Sequence, residues 1–331
     1  MQKLHLKPLA QQVIVITGGS SGIGAATARA AARAGARVVI AARDAGELEK
    51  VAGSIRESGG AVTTCAMDVG HEEDHQKLLQ TALDTYGRVD TWVNNAGVTI
   101  FGSLSTVPVA DQRQLFETDY WSVVYGSLTA TAYLRERGGA LINVGSEVSD
   151  RAIPLQGAYS AAKHAVKGFT DALRMELMQD GAPVSVTLIK PASIDTDYTR
   201  RARNYMEVEP TLPPPIYAAD LVADAILQAA QSPQRDLYVG SVSKLISTMG
   251  QRAPGLSDKM AGWLTRNQRS DVPASEDIDG LYDPGVRQRT PSPKNVRRHS
   301  LYKHVNTNAK GLVWLGTGML FVVGAALTRR R

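Results

Sequence analysis

The sequence predicts an α/β protein with a doubly wound, parallel seven-stranded sheet and helices on both faces. Two observations carry this. Short apolar runs rich in Val, Ile and Ala alternate with longer helical patterns from residue 13 to residue 240. The first run opens into a glycine-rich turn, Thr17-Gly18-Gly19-Ser20-Ser21-Gly22-Ile23-Gly24, followed by an Ala-rich helical stretch. Strict alternation of strand and helix implies parallel strands joined by crossover helices. Such crossovers are right-handed, which covers the sheet on both faces.

In chain order the strands are expected at 13–17, 37–41, 61–66, 89–93, 140–144, 184–189 and 237–239. Helical patterns of about 12 residues or more separate most of them. The alternation breaks twice. Residues 197–215 are polar and end in Pro213-Pro214-Pro215. We expect a loop over the active site there; a plain surface insertion is the other reading. Residues 251–307 are rich in Pro, Ser, Asp and Arg with little periodicity. That composition reads as a linker with one short helix near 259–265.

The chain has 331 residues, 43% hydrophobic and 21% charged, enough to bury a core. Full disorder, a collagen-like chain and a disulfide mini-scaffold are excluded. The single cysteine, Cys65, cannot form an internal disulfide, which fits a reducing compartment. It lies in a strand-like run and reads as a buried small hydrophobe. The net charge is +5, but residues 285–331 hold ten basic side chains and no acidic one. The rest of the chain is therefore net acidic, and no nucleic-acid surface is expected on it. The first apolar run, Val13 to Ile16, is too short for the core of a secretory signal.

The tail is different. Residues 311–328, GLVWLGTGMLFVVGAALT, carry no charge, with Lys310 before them and Arg329, Arg330 and Arg331 after. At about 1.5 Å per residue such a helix spans roughly 27 Å, close to the hydrocarbon thickness. A single membrane-inserted helix is expected; a helix packed on the domain or on a partner is the alternative. Arg297, Arg298, Lys303 and Lys310 would then face anionic headgroups or solvent. Arginines flank the run on both sides, so the positive-inside rule assigns no orientation.

The glycine turn sits between a strand and a helix. Gly18, Gly22 and Gly24 permit a tight turn, and the free N–H groups of the helix start, with Ser20, Ser21 and Ile23, suit a pyrophosphate. The second strand ends in Ala42-Arg43-Asp44. A dinucleotide site for NAD usually has an acid at the strand end, whereas Arg43 suits a 2′-phosphate and favours NADP over NAD. Asp44 is read as a helix N-cap.

Further along stand Asp68-Val69, Asn94-Asn95-Ala96-Gly97, Ser146, Tyr159-Ser160-Ala161-Ala162-Lys163 and the run from Pro191 to Thr196. With the glycine turn, these motifs in this order resemble the short-chain dehydrogenase/reductase family, in its Tyr-x-x-x-Lys branch, over roughly residues 8–245. The resemblance implies a Rossmann-like catalytic domain at 1–245. Residues 246–310 would be a polar, basic linker and 311–328 the membrane helix. It also implies a homodimer or homotetramer and a small carbonyl or alcohol substrate. The tail alone suggests that this substrate is lipophilic. A domain that keeps its cofactor would face the cytoplasm.

Residues four apart share a helix face, so Tyr159 and Lys163 lie together. A nearby ammonium favours the phenolate, so Tyr159 would exchange a proton with the substrate oxygen. Ser146 would hydrogen-bond that oxygen, and Lys163 would also hold the nicotinamide ribose. The family resemblance places Asp68 and Val69 against adenine and makes Asn94 a stiffener of the central strands. Asn95, Ala96 and Gly97 would line the cofactor, with Pro191, Ile194 and Thr196 near the carboxamide.

Two positions depart from the family. Asp119 stands where an asparagine usually holds a water leading to the lysine, and Ala192 follows Pro191 where glycine is usual. An ionised aspartate donates no hydrogen bond. These departures motivate a second hypothesis, a cofactor-binding sensor or membrane scaffold with little turnover. The first hypothesis is an NADP(H)-dependent oxidoreductase tethered by its C-terminus. Finally, His71-Glu72-Glu73-Asp74-His75 matches the H-E-x-x-H zinc pattern. It reads instead as an acidic helix start, so no metal is expected.

Overall fold

Seven parallel strands form one sheet: β1 (Val13–Thr17), β2 (Arg37–Ala42), β3 (Val62–Ala66), β4 (Thr91–Asn94), β5 (Gly139–Val144), β6 (Val184–Pro191) and β7 (Asp236–Val239). Their spatial order is β7-β6-β5-β4-β1-β2-β3, a doubly wound arrangement. The computed structural model describes residues 4–240, 243–244, 247–248, 252–275, 280–284 and 296–298.

The helices are α1 (Gly22–Arg33), α2 (Ala45–Glu57), α3 (Glu72–Tyr86), α4 (Val109–Phe116), α5 (Ser122–Arg137), α6 (Gly157–Gln179), α7 (Ala219–Gln231), α8 (Pro254–Lys259) and α9 (Ala261–Asn267). Strand residues alternate between two cores. Ile14 and Ile16 of β1 join residues of α1, α2 and α7 on one face, including Ala28, Leu48 and Ile226. Val13 and Val15 join residues of α3, α5 and α6 on the other, including Leu78, Leu134 and Leu173. Burial on both faces explains why the strands read as unbroken apolar runs. At about 25 cal/mol per Å² these two layers are the main stabilising term.

The expected strands are found, with ends shifted by one or two residues. The fourth begins at Thr91 because Asp90 is used otherwise. Its carboxylate accepts from the Val13 backbone N–H at 2.9 Å and pairs with Lys7 and Arg88. The sixth runs on to Pro191, which brings Pro191 and Ala192 to the cavity at the carboxyl end of the sheet.

The reading of 246–310 as a linker is corrected for the described residues. Residues 269–273 form a strand antiparallel to Val208–Pro210, in the loop after β6. Gln268 is fully buried, and its side chain donates to Pro154 O at 3.0 Å. Leu281 is also fully buried, packed with Ile100, Val107, Leu115 and Ala162. Arg297 donates its backbone N–H to Ile216 O at 2.8 Å. The segment folds back because its scattered apolar side chains fill gaps left by the main domain. The expected helix near 259–265 is the pair α8 and α9.

Among the described residues no helix is long and apolar enough to cross a membrane. The expected membrane helix at 311–328, with Arg329, Arg330 and Arg331, lies outside the described residues, as do Lys303 and Lys310.

Candidate active site

The turn after β1 is shaped by what it excludes. Gly18 has φ +66°, and a Cβ there would lie 2.9 Å from the Ala96 backbone. A Cβ on Gly24 would lie 2.1 Å from Gly18 O. Only glycine lets α1 start this close to the strand. Ser21 is the N-cap of α1, and its side chain makes no capping bond, which leaves the first N–H groups of a helix start that lines the cleft without a side-chain cap. A cavity of about 200 Å³ runs from Gly18, Ser20, Ser21, Gly22 and Ile23 across to Arg43, Val69 and Asn95-Ala96-Gly97. A glycine cradle beside bare helix N–H groups fits a dinucleotide pyrophosphate.

Side chains around this cleft sort into two kinds. Asn95 braces the turn, donating from Nδ2 to Thr17 O at 2.9 Å. Thr196 closes the other side, 3.1 Å from where a Cβ on Gly22 would sit. Asp44 is the N-cap of α2 and accepts from Glu47 N at 3.0 Å. Asp68 is not among the residues lining the cleft, although Met67 and Val69 are. Its carboxylate accepts from Gly70 N at 2.9 Å, which makes it a turn-former in this structure.

Arg43 lines the cleft but is already engaged. Its Nη2 donates to Gly280 O at 2.6 Å, and its Nη1 to Tyr282 O at 3.3 Å and Leu281 O at 3.4 Å. Residues 280–284 form a strap beside the cleft, with Leu281 buried beneath and Tyr282 donating to Asp111 at 2.8 Å. Nothing in the local sequence signalled this strap. A lone Leu281 in a polar stretch carries no periodicity.

A second cavity, about 720 Å³, opens beyond the first and is lined by Ser146, Tyr159, Lys163, Pro191, Ile194 and Thr196. Ser146 follows β5 and caps the short 3-10 turn Glu147–Ser149. Tyr159 and Lys163 lie one turn apart on α6, with the Lys163 ammonium 5.5 Å from the Tyr159 ring centre. Tyr198 packs edge-on against that ring, with centroids 5.6 Å apart. Burial pushes the Tyr159 phenol up, and the Asp119 charge adds to this. Lys163 and hydrogen bonds with Tyr198 and Ser146 pull it down, but burial prevails and the phenol stays above its ordinary value.

Asp119 is the residue whose role the sequence left open. It sits in a π-helical turn, Glu117–Trp121, between α4 and α5. Such turns re-aim side chains inside a helix. Its Oδ1 accepts from Val98 N at 2.7 Å, and its Oδ2 lies 3.1 Å from Lys163 Nζ. Both partners are almost fully buried. Burial pushes Asp119 up, against the pull of Lys163. Burial pulls Lys163 down, but Asp119 and Tyr159 outweigh it, so the ammonium is retained. Behind this pair, Asn94 donates to Asn143 Oδ1 at 2.9 Å and to Ser127 Oγ at 3.1 Å, tying β4 to β5 and α5.

The outer wall comes from the C-terminal segment that sequence reading took for a linker. Met260, Trp263 and Leu264 line the cavity, facing Leu212 and the prolines of the loop after β6. The short helix there was expected from the sequence, but its place in the cavity wall was not. The H-E-x-x-H histidines diverge. His71 stands at the N-cap position of α3 without a side-chain capping bond, while His75 is buried against Trp92 with Nε2 2.9 Å from Val69 O.

A family description, short chain dehydrogenase, matches residues 12–207. The chain belongs to the short-chain dehydrogenase/reductase family. Among relatives of this family, the chain is 45% identical over 288 residues to a Bacillus subtilis protein named "Uncharacterized oxidoreductase YxnA", covering 86% of this chain and 81% of that one. It is 34% identical over 199 residues to 11-beta-hydroxysteroid dehydrogenase A of Sesamum indicum, covering 60% of this chain and 56% of that one. In three dimensions it resembles an alcohol dehydrogenase of Thermococcus sibiricus complexed with 5-hydroxy-NADP. That likeness has TM-score 0.61 and 27% identity and covers 70% of this chain and 97% of the other. A family member from Burkholderia phymatum in complex with NAD shares the fold, with TM-score 0.70 and 24% identity over 82% of this chain and all of the other. Oxidoreductase activity with a nicotinamide cofactor and a small-molecule substrate is what this family performs.

Proposed function

We propose that the protein is an NADP(H)-dependent oxidoreductase interconverting a carbonyl and a secondary alcohol, with Tyr159 as the general acid and base. The observation that carries this reading is the convergence of Ser146, Tyr159 and Lys163 on one cavity that adjoins the glycine cradle. The cofactor supplies the hydride when bound. The protein's residues handle the proton. The Tyr159 hydroxyl donates to the carbonyl oxygen in reduction and takes the proton back in oxidation. Ser146 orients that oxygen. Lys163, held by Asp119, supplies the positive charge that offsets part of the burial cost of the phenolate. Apolar side chains make up much of the wall around the reacting centre.

The preference for NADP(H) rests on Arg43 at the cleft and on the absence of a carboxylate at position 42. The strap carbonyls occupy Nη1 and Nη2, so a 2′-phosphate shares or displaces them. The solved relative that carries 5-hydroxy-NADP supports this reading, and the one with NAD does not. The hydroxysteroid dehydrogenase name of a relative and the largely apolar cavity favour a lipophilic substrate.

The tail at 311–328 is proposed to tether the enzyme to a membrane, with the catalytic domain in the cytoplasm. Deleting residues 305–331 is expected to release the protein from the membrane fraction; full-length protein that stays soluble contradicts the tether. For the chemistry, absorbance of the reduced cofactor is followed with a carbonyl panel in wild type and Tyr159→Phe. The variant should lose about 10² in rate or more, and equal turnover by both proteins overturns the mechanism.

A further inference from the structure

One carboxyl in the substrate cavity has no task in the chemistry just described. Glu147 follows Ser146 and lines the same cavity. Its Oε2 is buried and has no hydrogen-bond partner among the described residues. The cationic side chains lining the cavity are engaged elsewhere: Arg151 pairs with Asp258, and Lys163 with Asp119. The surrounding wall is largely apolar, with Val144, Val148, Pro154 and Leu264 among its residues. A carboxyl left unpaired in such a wall destabilises the free protein. A ligand oxygen that meets it recovers that cost.

We infer that Glu147 is a specificity-determining residue that hydrogen-bonds a second oxygen of the substrate, remote from the reacting carbonyl. The substrate class is then a lipophilic ketone or secondary alcohol bearing a further hydroxyl or carbonyl. This rests on the reading of the cavity as the substrate site. Ser146 and Glu147 line one cavity of about 720 Å³, which has room for a single ligand to reach both. Burial alone holds the Glu147 carboxyl protonated at neutral pH, its pKa pushed up to about 8, so it donates to an acceptor oxygen. A site built to hydrogen-bond a substrate oxygen rejects an analogue that lacks it far more strongly than an apolar pocket rejects an extra group.

The test uses 1-decalone and a series of hydroxy-1-decalones that differ in the position of a tertiary hydroxyl, whose carbinol carbon carries no hydride to transfer. Binding is measured by calorimetry to the protein saturated with oxidised cofactor, where the ketone cannot react. Wild type is expected to bind at least one hydroxydecalone about tenfold or more tightly than 1-decalone. Glu147→Gln, which still donates, should keep the preference, and Glu147→Leu should bring the ratio close to one. Circular dichroism of each variant reports its folding. The inference is overturned if no hydroxydecalone is preferred by wild type, or if Glu147→Leu keeps the wild-type ratio. The same ratio is read in Tyr159→Phe. A preference that persists there while turnover is unaffected by the variant leaves the recognition standing and removes only the proton-donor role of Tyr159.

Discussion

Asp119 Oδ2 lies 3.1 Å from Lys163 Nζ, and both side chains are closed off from solvent. The carboxylate therefore stands beside the ammonium that is proposed to acidify Tyr159. It raises the phenol's pKa while Lys163 lowers it. Asp119→Asn removes the opposing charge and keeps the shape. The expected outcome is that the pH profile of alcohol oxidation, which needs the phenolate, moves to lower pH. A profile unmoved or shifted upward contradicts the electrostatic role.

Removing the carboxylate without replacement has a separate cost. Asp119→Leu leaves the buried Lys163 ammonium uncompensated and strips the Val98 N–H of its acceptor. Breaking a buried pair from one side costs about 3–5 kcal/mol. Urea unfolding should show a loss of that order, larger than that for Asp119→Asn.

Glu147 ties stability to pH. Its carboxyl has a folded-state pKa of about 8 against an ordinary carboxyl value of 4.5. Between these values the folded state holds a proton that the unfolded chain has released. The contribution is fully present below the unfolded value and is lost as pH rises through the folded one. Stability should therefore fall from about pH 5 to about pH 8. In Glu147→Gln that part of the decline should disappear. Equal slopes in both proteins contradict the buried, protonated carboxyl.

Two glycine-to-alanine changes should behave oppositely. At Gly24 the new Cβ meets Gly18 O at 2.1 Å, so the cradle must open and cofactor affinity should fall. At Gly53, inside α2, nothing lies within 4 Å, and the change should stabilise by about 0.5–1 kcal/mol. Calorimetric titration of cofactor and thermal unfolding read the two effects.

Arg43 gives the cofactor test. Arg43→Ala should weaken NADPH binding about 10-fold or more, as for loss of a charge-assisted pair, and leave NADH binding far less affected. Tighter binding of NADH than NADPH by wild type contradicts the assignment.

Much of this architecture was legible before any coordinates. Strands such as Val13–Thr17 are apolar on both faces, and the glycine turn marks where the first helix starts. Ser146, Tyr159 and Lys163 were singled out by their resemblance to the family's motifs, and all three line one cavity. What was not legible depends on contacts distant in sequence. Leu281 fits a gap between Ile100 and Ala162, and no local pattern announces it. The short helix carrying Trp263 and Leu264 was expected near 259–265, but no local pattern shows that its apolar side chains wall the cavity. The residue type at 119 was visible, but its direct pairing with Lys163 needed the π-helical turn to be seen. Nothing in the sequence sets Glu147 apart, and only the apolar cavity around it makes it unusual.

The most direct measurement follows the label and the proton together. Reduction of a ketone probe is run with NADPH deuterated at the transferable position, in wild type and Tyr159→Phe. The account predicts deuterium on the carbinol carbon of the wild-type product and a single-turnover rate lower by about 10² or more in the variant. Deuterium absent from that carbon, or an undiminished rate without the phenol, contradicts it.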